Sequence, residues 1–214
     1  IAAFRAKWNL GDQRVIGFAA RLATEKGVEV MLEALPRVLQ AHPQARVLFA
    51  GPYQNVLGEE AYAKRIMPLV EQYKDHWTFL GVLNPHEMAI FFHNCDVTVL
   101  PSLNSTESFG LVQVEGMLCG APSIASALPG VRQPVTMTGM GEVVPIGDSA
   151  ALAEAVIRVL DDKAKYTRPR SDIEALFSTP RTAELYEKLF EDLLSQKKGS
   201  TTAEYHESAN ENAG

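Results

Sequence analysis

The fold is indicated by residues 14–51, RVIGFAARLATEKGVEVMLEALPRVLQAHPQARVLFAG, in which two apolar blocks flank an amphipathic segment. The first block, RVIGFAAR (residues 14–21), is rich in Val, Ile and Phe and ends at a polar loop, which predicts a buried strand. In the middle segment apolar residues recur every three or four positions, which predicts a helix closed by Pro43. RVLFAG (residues 46–51) is a second predicted strand. This order predicts parallel strands joined by a right-handed crossover.

The same alternation continues along the chain. Further strands are predicted at WTFLG (77–81), DVTVLP (96–101), APSIAS (121–126) and EVVPI (142–146). Helices are predicted at residues 59–73, 85–95, 110–119, 150–160 and 182–194, with a helical turn at 131–137. Six strands joined by helices predict an α/β fold with a doubly wound, parallel, six-stranded Rossmann-like sheet. We expect this domain to occupy residues 14–195, and the polar residues 196–214 to be a disordered tail.

Composition places the chain among globular proteins. Of 214 residues, 46% are hydrophobic and 21% are charged, which excludes a disordered, collagen-like or coiled-coil protein. The net charge of -6 gives no general attraction for nucleic acid or anionic lipid, although a local anion site stays open. Residue 1 is Ile rather than Met, so we expect a piece of a longer chain.

The cysteines and the apolar segments bear on the cellular compartment in which the protein is expected. Cys95 and Cys119 lie in apolar surroundings without metal-ligand spacing, so both are predicted to be reduced core thiols. The longest uncharged stretch, residues 116–131, is 16 residues long and is interrupted by Pro and Gly, too short to span a bilayer. No secretory signal is present either. We therefore expect a cytoplasmic, reducing setting and no transmembrane segment.

Charged residues follow two strands whose carboxyl ends are expected to meet. Arg21 and Lys26 come after the first strand, and Glu107, Phe109 and Gly110 come after the fourth and lead into a helix. Open parallel sheets bind ligands at such strand ends. Two cations beside a helix N-terminus suit a diphosphate, because they combine fixed positive charge with free backbone N–H groups. The alternative is a solvated pair of loop cations.

Two glutamates flank the start of the helix predicted at residues 110–119. If that helix starts near Phe109, Glu115 points along the same wall as Glu107, about 12 Å away at about 1.5 Å per residue. Glycosidases need their two carboxyl groups closer than about 10 Å, so a two-carboxylate hydrolase is disfavoured. The two acids can instead accept hydrogen bonds from hydroxyls at opposite ends of one elongated ligand. The alternative is that each is an acid favoured by the helix dipole.

Four segments together resemble a known family. They are RLATEKG (21–27), ESFGLVQVEGMLCGAPSIAS (107–126), LPGVRQPV (128–135) and TGMGEVVPIGDSAALAEAV (138–156). They resemble the carboxyl-terminal, nucleotide-sugar-binding domain of the group-one retaining glycosyltransferases, which have two Rossmann domains. The resemblance runs from about residue 14 to residue 195, and the long glutamate-containing segment is its most specific part.

The resemblance implies a role for each candidate residue. Arg21 and Lys26 would bind the donor diphosphate and stabilise charge on the departing nucleotide, and Glu107 would contact hydroxyls of the donor sugar. Residues 109–111, namely Phe109, Gly110 and Leu111, would present backbone groups to the sugar and phosphate, and Glu115 would bind the ribose hydroxyls. The family needs no bound metal, and no acidic cluster such as D-x-D is present here. No cofactor is implied beyond the donor substrate.

The resemblance also implies what is missing. Residues 1–13 would be a linker from an absent amino-terminal domain that binds the acceptor, so this chain would bind donor without transferring sugar. A full-length enzyme would be cytoplasmic, or peripheral to the inner face of the membrane. A non-catalytic nucleotide-sugar-binding module is the alternative, followed by a nucleotide-sugar epimerase. The sequence leaves open the base, the sugar, the acceptor and the oligomeric state.

Overall fold

The structure is a computed structural model that describes the backbone of residues 1–210 and the side chains of residues 1–196. Within that range the strands form one parallel sheet of six, in the order β3-β2-β1-β4-β5-β6. The strands are β1 (Val15–Ala19), β2 (Arg46–Ala50), β3 (Trp77–Gly81), β4 (Val97–Leu100), β5 (Ser123–Ser126) and β6 (Gly141–Val144). The predicted α/β fold with a six-stranded, doubly wound parallel sheet is confirmed.

Helices connect the strands and continue beyond the last one. They are α1 (Ala2–Lys7), α2 (Val28–Ala41), α3 (Glu60–Glu71), α4 (Pro85–Asn94), α5 (Leu111–Leu118), α6 (Gln133–Thr138), α7 (Ser149–Asp161), α8 (Arg170–Phe177) and α9 (Thr179–Asn210). Short 3₁₀ turns lie at Thr24–Lys26 and Lys163–Tyr166. The described part of α9 begins earlier and ends later than the helix predicted at 182–194, and α8 is a helix that the sequence analysis did not predict.

Core residues lie on both faces of the sheet because side chains alternate along each strand. Ile16 and Phe18 of β1 pack in a cluster with apolar residues of α2, α3 and α7. Val15 of the same strand packs on the opposite face, where Phe91 and Phe92 of α4 are fully buried. Helices on both faces explain why these short strands are almost continuously apolar.

The strand order reverses at β1. From β1 the chain first builds β2 and β3 on one side, and then returns to place β4 on the other side of β1. The parallel pairing of Ile16 with Val97 aligns the two central strands. Because parallel strands end at the same edge, the loops after β1 and β4 leave the sheet side by side at this switch point.

The two ends of the chain were predicted to be a linker and a disordered tail. The segment predicted as a linker, residues 1–13, contains α1, and Leu10 behind it is completely buried. Arg46 Nη1 donates a hydrogen bond to the Trp8 carbonyl over 3.1 Å, so this segment packs on β2. Of the predicted disordered tail, residues 196–210 lie in α9 and residues 211–214 lie outside the described residues, and the disorder stays a prediction.

The chain divides into two compact units, residues 1–173 with the sheet and residues 174–214 with the end of α8 and the whole of α9. Within the second unit, α9 carries exposed apolar side chains at Leu185, Leu189 and Phe190. No helix in the part of the chain that the structure describes is both long enough and apolar enough to cross a membrane.

Candidate functional site

The loops after β1 and β4 touch each other at the carboxyl edge of the sheet. The Leu103 backbone N–H donates to the Glu25 carbonyl over 2.8 Å, which ties the second loop to the first. This bond joins residues that are far apart in the chain, so it exists only because β1 and β4 are neighbours. This hydrogen bond holds the two loops, and the charged side chains that they carry, next to each other.

Lys26 and Glu107 form an ion pair across this contact. Lys26 Nζ lies 2.7 Å from Glu107 Oε2, and the two side chains are only 15% and 19% exposed. A bond between charged groups at this distance and burial is a strong interaction. The structure therefore brings together two of the residues singled out in the sequence, while their roles in donor binding stay predictions.

Arg21 lies on the same loop but pairs differently. Its guanidinium makes an ion pair with Glu25, four residues further on, and remains nearly half exposed. Lys26 ends the 3₁₀ turn Thr24–Lys26, and the backbone N–H and hydroxyl of Thr24 both donate to Glu59, over 3.0 and 2.8 Å. Glu59 immediately precedes α3, so it links the cationic loop to the loop after β2. The sequence analysis missed Glu59, because neither its spacing nor its neighbours mark it.

The N-terminus of α5 opens beside Glu107. Gly110 precedes the helix with φ of 77°, and a Cβ built there would lie 2.4 Å from Leu100 Cδ2. Only glycine fits this left-handed, crowded position without strain. Leu111, the first residue of the helix, is 68% exposed, and Phe109 is partly buried. No side chain caps α5, so its first backbone N–H groups and positive dipole end are available to an anion.

A third segment closes on this helix start. The loop after β5 approaches so closely that a Cβ on Gly130 would lie 1.7 Å from the Ser108 carbonyl oxygen. Gln113 of α5 is 1% exposed and bonds to this loop through its side chain. The sequence analysis missed Gln113, although a polar residue at a core position of an apolar helix is a usable signal.

Glu115 lies in a different environment from Glu107. It lines a cavity of about 400 Å³ between α4 and α5, and that lining includes neither Lys26 nor Glu107. Partial burial raises the pKa of the Glu115 carboxyl above its ordinary value. Glu107 lies on the loop after β4, whereas Glu115 lies on α5 beside α4, and the common wall expected for the two acids stays a prediction. The other residues lining the cavity are Leu83, Pro85, Met88, Ala89, Phe92, Leu118, Cys119 and Arg170.

The two cysteines are unpaired but not equivalent. Cys95 is buried, and burial raises the pKa of its thiol. Cys119 is partly buried, packs against the core cluster that contains Cys95, and also lines the same cavity as Glu115. Among the described residues, no three His, Cys, Asp or Glu side chains gather in a way that could hold a metal ion.

Comparison with known proteins places this arrangement in a family. Residues 1–175 match the family described as "Glycosyl transferases group 1". The chain belongs to the group 1 glycosyltransferases. This family match confirms the resemblance seen in the sequence, and it covers the sheet, both contacting loops and α5.

Curated group 1 relatives are longer than this chain. It is 36% identical over 135 residues to a phosphatidyl-myo-inositol mannosyltransferase of Mycobacterium leprae, covering 63% of this chain and 34% of that protein. It is 33% identical over 187 residues to a D-inositol 3-phosphate glycosyltransferase of Corynebacterium jeikeium, covering 84% of this chain and 44% of that protein. The chain thus spans half or less of the length of these relatives.

Solved structures of glycosyltransferases share the fold. Sucrose-phosphate synthase from Thermosynechococcus elongatus superposes with a TM-score of 0.72 at 32% identity, over 92% of this chain and 49% of that one. HepE of Anabaena, in complex with UDP-glucose, superposes with a TM-score of 0.73 at 25% identity, over 91% of this chain and 52% of HepE. Coverage of about half of each structure fits the carboxyl-terminal domain of a two-domain enzyme.

Proposed function

We propose that this chain is the donor-binding half of a retaining glycosyltransferase and binds a nucleoside diphosphate sugar at the contact between the loops after β1 and β4. The observation that carries the proposal is the ion pair of Lys26 and Glu107 at 2.7 Å, beside the uncapped N-terminus of α5. A cation, a carboxylate and free backbone N–H groups meet there, and a phosphate linked to a sugar needs all three. The HepE structures with UDP and UDP-glucose support this substrate class.

Binding of the diphosphate exchanges partners in the ion pairs. Lys26 gives up its bond to Glu107 and donates to a phosphate oxygen, and Arg21 does the same by leaving Glu25. The dipole of α5 adds a second source of positive potential. These basic groups neutralise the charge that develops on the departing nucleoside diphosphate, so the proposed reaction uses no metal ion and no resident cofactor.

The carboxylate freed by this exchange binds the sugar. Glu107 accepts hydrogen bonds from hydroxyls of the donor sugar once Lys26 has turned to the phosphate. The backbone of residues 109–111 lines the sugar and phosphate, where Gly110 allows close approach. Glu115 accepts hydrogen bonds from the ribose, which extends the ligand from the loop contact toward the cavity between α4 and α5.

Transfer needs more than this chain. In the proposed reaction the acceptor attacks the anomeric carbon from the face that the nucleotide leaves, so the configuration is retained. The acceptor and the proton-handling groups come from an amino-terminal domain, since the chain spans half or less of its relatives. The chain alone binds donor and transfers nothing. The two unpaired thiols, Cys95 and Cys119, support a reducing, cytoplasmic setting for the whole enzyme.

Calorimetric titration tests the donor site. The chain is titrated with uridine, guanosine and adenosine diphosphates and with their glucose conjugates. We expect saturable binding of at least one pair. Lys26→Met should weaken that binding about tenfold or more, because a hydrogen bond to a charged group contributes about 1.5 to 3 kcal/mol.

The matched control removes a cation elsewhere. Arg37 of α2 pairs with Glu154 of α7, far from the loop contact, so Arg37→Met should leave nucleotide affinity unchanged. If no nucleotide of the panel binds at millimolar concentration, or if the two variants behave alike, the proposed donor site is wrong.

A further inference from the structure

Gln113 is a buried polar residue in an otherwise apolar part of α5. Only 1% of it is exposed, and its neighbour Val114 is also buried. A buried amide is costly unless its hydrogen-bonding groups find partners. The hydrogen-bond partners of the Gln113 amide therefore show what this residue does.

The partners of Gln113 belong to three different segments. Its Nε2 donates to the Val131 carbonyl over 2.8 Å and to the Phe109 carbonyl over 3.4 Å. Its Oε1 accepts from the Ser123 hydroxyl over 3.1 Å, and its backbone N–H donates to the Gly110 carbonyl over 2.9 Å. Both amide hydrogens and the amide oxygen are thus used. One side chain joins the start of α5, the loop after β5 and β5 itself.

We propose that Gln113 is a positioning residue that fixes the backbone at the start of α5 for the sugar and its adjoining phosphate. This inference rests on the proposed donor site. The Gln113 side chain bonds to the Phe109 carbonyl and packs beside Gly110, and both are residues whose backbone is proposed to line the sugar and phosphate. The Val131 bond presses the loop after β5 against the same backbone, where Gly130 already touches Ser108.

The position of Gln113 predicts which part of a ligand depends on it. Its side-chain bonds end at residues 109, 123 and 131, and residue 109 lies beside the proposed sugar and second phosphate. None of them reaches the residues that line the cavity of Glu115, where the nucleoside is proposed to lie. Loss of Gln113 should therefore weaken binding of a diphosphate sugar more than binding of a nucleoside monophosphate.

The test compares two ligands on one variant. The probes are the nucleoside diphosphate glucose that the wild-type chain binds most tightly, and the monophosphate of the same nucleoside. Gln113→Met keeps the side-chain length and removes its hydrogen bonds. We expect about tenfold weaker binding of the diphosphate glucose and less than about twofold for the monophosphate. Equal losses for the two probes, or no loss for either, would overturn the positioning role.

A milder pair of variants covers the case in which Gln113→Met does not fold. Ser123→Ala removes only the donor that orients the Gln113 amide, and Ser126→Ala truncates another buried serine of β5. The Ser126 hydroxyl makes no hydrogen bond within the described part of the chain. We expect Ser123→Ala to weaken binding of the diphosphate glucose about threefold and Ser126→Ala to leave it unchanged; identical behaviour of the two would also overturn the proposal.

The outcomes separate the two proposals. If the wild-type chain binds no nucleotide, the donor site is wrong and the role of Gln113 falls with it. If the wild-type chain binds the diphosphate glucose and the variants bind it equally well, only the role of Gln113 is wrong.

Discussion

Replacing Glu107 by Gln should change the affinities for a nucleoside diphosphate and for its sugar conjugate in opposite directions. In the free protein Glu107 holds Lys26 at 2.7 Å, and both side chains are largely buried. In the proposed donor site the diphosphate displaces that contact, and the sugar binds the carboxylate that is released. Glu107→Gln removes the carboxylate that competes with the diphosphate for Lys26, and it removes the proposed contact of that carboxylate with the sugar as well.

The size of each effect follows from the geometry of the ion pair. At 2.7 Å and an effective dielectric constant of about 20, the direct attraction is about 6 kcal/mol. Desolvation of the two groups offsets most of it, leaving a net contribution of about 1 kcal/mol. The diphosphate should therefore bind Glu107→Gln about fivefold more tightly. The conjugate has the same gain but loses a carboxylate–hydroxyl bond of about 2 kcal/mol, so it should bind about fivefold more weakly.

Isothermal titration calorimetry of both ligands against wild type and variant measures the ratio of the two affinities. The ratio should shift about 30-fold, which corresponds to about 2 kcal/mol. Glu33→Gln, which neutralises an exposed carboxylate on α2, is the control and should leave both affinities unchanged. Parallel changes for the two ligands in Glu107→Gln would show that Glu107 does not distinguish sugar from phosphate, and its proposed role would then be wrong.

Three further predictions concern stability and turnover. Gly110→Ala should destabilise the chain by about 2 kcal/mol more than Gly120→Ala in chemical denaturation, since both glycines have positive φ but only Gly110 is crowded. Arg158 lowers the pKa of Glu142 below its ordinary 4.5 by hydrogen bonding, so the stabilisation present above that value should be lost as the pH falls through the lowered pKa. Glu142→Gln should flatten that part of the stability profile measured by thermal melting. In a full-length parent enzyme, Lys26→Ala should lower turnover about a hundredfold or more, and near-normal turnover would remove its proposed role.

The sheet and the meeting of Lys26 with Glu107 were predictable from sequence for one reason. Buried parallel strands are short apolar runs, and their alternation with amphipathic helices defines the edge at which loops gather. Once β1 and β4 are recognised as neighbours, charged residues that follow them must lie close together. Residue type and place in the topology were enough for that conclusion.

Other features depend on contacts that no local pattern encodes. Glu59 bonds to Thr24 only because the loops after β1 and β2 are adjacent. The helix α1 has six residues and none of them is buried, so its sequence has no apolar periodicity from which a helix could be predicted. The direction of Glu115 depends on where α5 begins, which the left-handed Gly110 sets. Counting residues from Phe109 therefore could not show which neighbours Glu115 has.

A crystal structure of this chain with its tightest-binding nucleoside diphosphate glucose tests the central claim most directly. We expect a phosphate oxygen within about 3 Å of Lys26 Nζ and of the backbone N–H groups that open α5, with Glu107 turned from Lys26 to the sugar hydroxyls. A nucleotide bound elsewhere on the molecule, with the Lys26–Glu107 pair intact, would contradict it.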